Sequence, residues 1–105
     1  MPIVARFLYI VWYSVDPSVE VEWDRWMNST HVPEVVERGN FLGAKRYAVK
    51  EGSSSSHATF YLAKDLQSLR AFFDGPAKEL QQDYDERFGQ TTQITRTLLE
   101  ETHSI

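Results

Sequence analysis

A chain of 105 residues is one small domain's worth of sequence, which excludes a two-domain enzyme. It contains no cysteine, and that removes disulfides, thiolate metal sites, iron–sulfur ligation and cysteine nucleophiles from consideration. A net charge of −4 and a pI near 5.3 argue against a surface built to neutralise phosphates, so nucleic acid and anionic membrane are not expected partners.

Residues 3–15 (IVARFLYIVWYSV) are β-branched and aromatic, stop at the breaker Asp16-Pro17, and predict a first strand. The apolar run Phe7 to Tyr13 is far shorter than the ~20 residues of a membrane-spanning helix. Tyr9, Trp12 and Tyr13 within it, and the lack of a small-residue cleavage site, argue against a signal peptide, so a cytoplasmic protein is expected. Both alternate sets of this strand are bulky and apolar: Phe7, Tyr9, Val11 and Tyr13 on one side, Leu8, Ile10 and Trp12 on the other. Such a strand must be covered on both faces.

Asp16 and Pro17 form a helix start, and Val19, Trp23, Trp26 and Met27 follow as one apolar stripe. The pattern predicts loosening at Asn28-Ser29-Thr30, a second short helix opened by Pro33 and carrying Val35 and Val36, and a left-handed cap at Gly39. His31 is thereby placed at a junction where the backbone turns. Residues 41–51 predict a second strand, with Tyr47 and Val49 on one face and Arg46 and Ala48 on the other. Gly52 and the four serines after it are an exposed turn, and residues 57–63 the third strand of a hairpin. Asp65 caps a helix packed through Leu66, Leu69 and Phe73; Gly75-Pro76 interrupts it, and Leu80, Tyr84 and Phe88 resume the stripe until Gly89. Residues 91–101 predict a threonine-rich fourth strand.

The order β-α-β-β-α-β predicts an α+β, ferredoxin-like domain, a four-stranded antiparallel sheet with its helices on one face. The other face would then carry the apolar Leu8, Ile10 and Trp12 set uncovered. Face-to-face packing of two such sheets resolves this, so a homodimer through the open sheet face is expected.

His31 is the leading catalytic candidate, a general acid or base walled by aromatic groups; the alternative is a histidine that fills a junction and bonds a backbone carbonyl. His31, Glu34 and His57 have the residue types of a two-histidine, one-carboxylate iron site, but their meeting has no support in spacing, and His57 directly after the serine turn is expected to face water. No metal is therefore assigned, no position stands out as a haem ligand, and no G-x-S-x-G elbow supports serine hydrolysis. The candidates for binding a small hydrophobic or aromatic ligand are Trp23, Trp26, Tyr9, Arg46, Tyr47 and Tyr61. The plain alternative for Tyr47 and Tyr61 is ordinary cross-strand packing.

The pattern W-x-x-W-x(4)-H-x-P-E-V at Trp23, Trp26, His31, Pro33, Glu34 and Val35, then G-x-F-x-G at Gly39, Phe41 and Gly43, resembles the dimeric α+β barrel superfamily. Within it, the chain resembles the EthD-like and antibiotic-biosynthesis-monooxygenase-like half barrels. It is most similar to a small bacterial family of unknown function that shares this segment and a late R-F-G such as Arg87-Phe88-Gly89. Arg38, where related sequences often have proline, and Asn40, which lengthens the step to Phe41, depart from the pattern at one loop. The resemblance implies a dimeric barrel with a pocket between sheet and helices in each subunit. It also implies activities such as cofactor-independent oxygenases, lactone isomerases and cyclases, beside haem-using branches, with His31 at the position of the pocket histidine.

Three readings follow. One is an enzyme, with no cofactor, acting on a small aromatic or lactone-like substrate through His31. The second is a non-catalytic ligand-binding or accessory homodimer. The third is a purely structural module, which predicts that Trp23, Trp26 and phenylalanines fill the crevice beside His31.

Overall fold

A computed structural model describes residues 6–105; residues 3–5 of the expected first strand lie outside the described residues. The strands are β1 (Phe7–Val15), β2 (Gly43–Ala48), β3 (His57–Ala63) and β4 (Thr92–Glu100). They form one antiparallel sheet in the order β2-β3-β1-β4. With α1 (Glu20–Trp26) and α2 (Val32–Arg38) between β1 and β2, and α3 (Leu66–Asp74) and α4 (Pro76–Phe88) between β3 and β4, this is the ferredoxin-like β-α-β-β-α-β arrangement.

Local chemistry sets most boundaries. The Asp16 carboxylate accepts from the Ser18 N–H at 2.9 Å and starts a 3₁₀ turn, Pro17–Val19, that leads into α1. Asp65 caps α3 by accepting from the Ser68 N–H at 2.7 Å. Gly75-Pro76 separates α3 from α4 as the sequence predicts. Within α3, however, Leu66 is partly exposed, and Phe72 takes the buried place beside Leu69.

Three expectations are corrected. Residues 27–31 do not loosen but continue as a π-helical turn, in which the Val32 N–H reaches back to the Met27 carbonyl. Pro33 accounts for the wide turn, because its ring cannot fit against the carbonyl four residues earlier and it has no N–H to offer. Gly39 is not left-handed (φ −89°); Asn40 is, at φ 54°. Glycine stands at position 39 for space, since a Cβ there would collide with the Phe41 ring and lie 2.9 Å from the Val35 carbonyl oxygen. The second strand is shorter than residues 41–51: Phe41 leaves the strand to enter the core, and one ladder bond flanks each end, from the Leu42 N–H to the Leu62 carbonyl at 2.8 Å and from the Val49 N–H to the Ser56 carbonyl at 2.9 Å.

The two faces of the sheet follow from the register. Tyr9, Val11 and Tyr13 of β1 share the helix-covered face with Tyr61 of β3, and pack there with Trp23, Met27, Leu69, Leu80 and Phe88. Leu8, Ile10 and Trp12 share the other face with Phe60 and Tyr47, whose rings lie 5.0 Å apart. No described helix covers that second face, and its apolar character is what the alternation in β1 predicts.

Candidate active site

His31 ends the π-helical turn and is 7% exposed. Its ring stacks on Trp26 (centroids 4.8 Å, planes 23° apart) and lies 5.4 Å from the Tyr84 ring. The side chain caps no helix end, and no group among the described residues hydrogen-bonds to it. One side opens into a cavity of about 210 Å³ between sheet and α4. Burial lowers the imidazole pKa to about 4, with Asp83 pulling weakly in the opposite direction, so the ring is neutral at pH 7. The expectation that a structural module would fill this crevice is not met.

Tyr9, Tyr13 and Tyr61 line the same cavity. Burial raises the pKa of each phenol; Arg96 partly offsets this at Tyr9, while neighbouring tyrosines add to it at Tyr13. These hydroxyls therefore meet a ligand as neutral groups able to donate or accept. The Tyr84 hydroxyl is already committed. It accepts from Trp23 Nε1 at 2.9 Å and pairs with Thr92 Oγ1 at 2.7 Å, and the Thr92 hydroxyl donates to the Phe88 carbonyl at 2.7 Å. Since Trp23 can only donate and the carbonyl only accept, the chain of bonds runs one way and Tyr84 must donate to Thr92. Tyr84 thus meets His31 with its tilted ring only, and its proton is fixed elsewhere.

The sequence candidates separate into three groups. His31, Tyr9 and Tyr61 meet in the cavity. Trp23, Trp26 and Arg46 stand behind it and do not line it. Trp23 is fully buried, with His57 4.8 Å from its ring and the Arg46 guanidinium 4.9 Å from it. Arg46 bonds Asp24 at 2.6 Å and Asn28 at 2.8 Å, tying β2 to the first helical segment. Tyr47 lies on the opposite face of the sheet, 48% exposed, because it follows Arg46 by one residue and strand side chains alternate. His57 does not face water as expected: it packs on Trp23 and sits 3.4 Å from Glu20. Glu34 meanwhile approaches Arg38, so His31, Glu34 and His57 do not converge.

Sequence reasoning missed Arg96, Lys78 and Gln81, which also line the cavity. Arg96 Nε donates to the Tyr9 hydroxyl at 3.1 Å. Its signal was the alternation Ile94, Arg96, Leu98 in β4, one charge among inward-facing apolar positions.

The sequence model of a family described as a domain of unknown function (DUF4286) matches residues 6–102. The chain belongs to this family. No curated protein matches the DUF4286 chain in sequence. Solved structures match the fold of this DUF4286 domain at low identity. An EthD family protein from Bacillus halodurans aligns with TM-score 0.68 and 17% identity over 91% of this chain and 99% of its own. The haem-degrading protein MhuD from Mycobacterium tuberculosis aligns with TM-score 0.68 and 15% identity, over 94% and 98%. A dimeric ferredoxin-like protein from an uncultured marine organism aligns with TM-score 0.57 and 17% identity, over 95% and 98%. The DUF4286 domain thus shares the ferredoxin-like fold of these EthD-family, haem-degrading and dimeric ferredoxin-like proteins.

Proposed function

We propose that the protein is a homodimeric, cofactor-independent enzyme that moves a proton on a small aromatic or lactone-like substrate, with His31 as the acid–base group. The observation that carries this reading is His31 itself: a neutral imidazole, free of protein hydrogen bonds among the described residues, at a cavity lined by four tyrosines, of which only Tyr84 has its hydroxyl already committed on both sides. The shared first step of an isomerase, cyclase or oxygenase of this kind is removal of a proton from an activated carbon or a phenol oxygen. A ring nitrogen of His31 takes that proton, and the hydroxyl of Tyr9 or Tyr61 stabilises the oxygen on which charge develops. In an isomerase the same proton returns to a neighbouring carbon.

The cavity also bears on cofactors. An engineered cavity of roughly 150 Å³ in another protein holds one benzene ring, so about 210 Å³ suits one ring with a short substituent. A haem, with four pyrrole rings, would extend well beyond a cavity of this size, so the reading uses none. Dimerisation through the Trp12, Phe60 and Tyr47 face would remove that apolar surface from water.

One observation favours a non-catalytic ligand carrier: a base whose pKa is about 4 is weak against the pH 7 at which it would act. Screening phenols and aryl lactones for turnover, with native protein and His31→Ala side by side, distinguishes the two. The enzyme reading expects turnover that falls at least about 100-fold in the variant while ligand binding persists. Binding with no turnover in the native protein would establish the carrier.

A further inference from the structure

Among the described residues, the cavity is lined by two cations, Arg96 from β4 and Lys78 from α4, and by no carboxylate. That is a sharp local bias in a chain whose net charge is −4. Arg96 is also held in place. Its Nε donates to the Tyr9 hydroxyl at 3.1 Å, which leaves both terminal amino groups of the guanidinium. The arginines that form ion pairs among the described residues are Arg38, Arg46 and Arg87, and Arg96 is not one of them. The same bond sets the phenol. Because the Tyr9 oxygen accepts from Arg96, its O–H remains to donate elsewhere. A forked cation and a hydroxyl donor are thus coupled on one wall, while the rest of the cavity, Lys78 aside, is largely aromatic and aliphatic, with Tyr61, Phe72 and Phe73 among its lining.

Resting on the reading that this cavity is a ligand site, we propose that its ligand is a single-ring carboxylic acid, the ring against the aromatic wall and the carboxylate on Arg96 and Tyr9. A carboxylate matches the guanidinium fork with two oxygens and accepts the phenol proton as well. Lys78 adds charge from the opposite element without fixing orientation. The volume admits one ring, and the two cations select the ionised acid over its neutral analogues.

The test titrates the full-length protein with phenylacetate and, separately, with phenylacetamide, which keeps the ring and shape but carries no charge, following Kd by NMR. Phenylacetate is expected to bind roughly tenfold more tightly, the ratio that one charge-assisted contact supports. Arg96→Gln is expected to bring phenylacetate down to the level of phenylacetamide and leave phenylacetamide unchanged. Equal binding of the two probes by native protein would overturn the acid specificity and leave the ligand site standing. No binding of either probe at millimolar concentration would overturn the site itself. A preference that survives Arg96→Gln would overturn Arg96 as the anchor. Should that variant not fold, Arg96→Met removes the charge with a side chain of similar length, and an undiminished preference there overturns the anchor equally.

Discussion

At the scale of single residues, His31 and Tyr84 combine buried polar chemistry with packing in ways that stability measurements can read. His31 has a folded-state pKa near 4 against 6.5 for the free side chain. Between those values the unfolded chain binds a proton that the native chain does not, so stability rises with pH across the window and is lost as pH falls through it. The full shift corresponds to about 3 kcal/mol. Urea denaturation at pH 7 and pH 4.5 is therefore expected to show a smaller acid loss in His31→Gln than in the native protein. A variant that loses as much as the native protein would refute a buried neutral His31. Tyr84→Phe removes both the acceptor for Trp23 Nε1 and the donor to Thr92. It leaves a fully buried indole N–H without its partner, at an expected cost of about 1–3 kcal/mol in denaturant titration.

At the scale of elements, the segment from Pro17 to Arg38 is one helical path whose character changes along its length: a 3₁₀ turn, α1, the π-helical turn and α2. The wide turn lets Met27 and His31 both face inward although Pro33 follows. Downstream, the left-handed conformation that the sequence assigns to Gly39 falls to Asn40, while Gly39 supplies space for Phe41. Gly39→Ala should destabilise by about 1–3 kcal/mol, because its methyl group meets the Val35 carbonyl oxygen and the Phe41 ring. Asn40→Gly should be neutral or slightly stabilising, since φ 54° suits glycine better than any other residue. Thermal melts of the two variants compare the positions directly; the opposite ranking would reverse the assignment. Asn40 is accommodated by taking the left-handed conformation.

At the scale of the whole molecule, the described residues leave one sheet face without helical cover, and it carries Trp12, Phe60 and Tyr47. If two copies close over it, sedimentation at micromolar concentration gives a species of twice 12.2 kDa. Phe60→Lys should then shift the protein to monomer, because a charge at the centre of an apolar interface has no partner there. A native monomer would remove the dimer from the proposal. Among the described residues, no helix is long and apolar enough to cross a membrane.

The sequence alone determined the element order and the faces of β1, because breakers, caps and apolar period are local signals that the chain carries residue by residue. It also singled out His31, whose neighbours Trp26 and Pro33 mark a crowded turn. Which polar groups share the cavity was decided by tertiary structure. Arg46 and Tyr47 are adjacent in sequence but lie on opposite faces of the sheet, while Tyr9 and Arg96, 87 positions apart, are hydrogen-bonded because β1 and β4 are paired. Trp23 and Trp26 looked like ligand walls, yet packing against Tyr13, Tyr84 and Phe88 placed them behind the site. Strand register and helix docking set such distances, and both depend on contacts far apart in the chain, which local pattern cannot report.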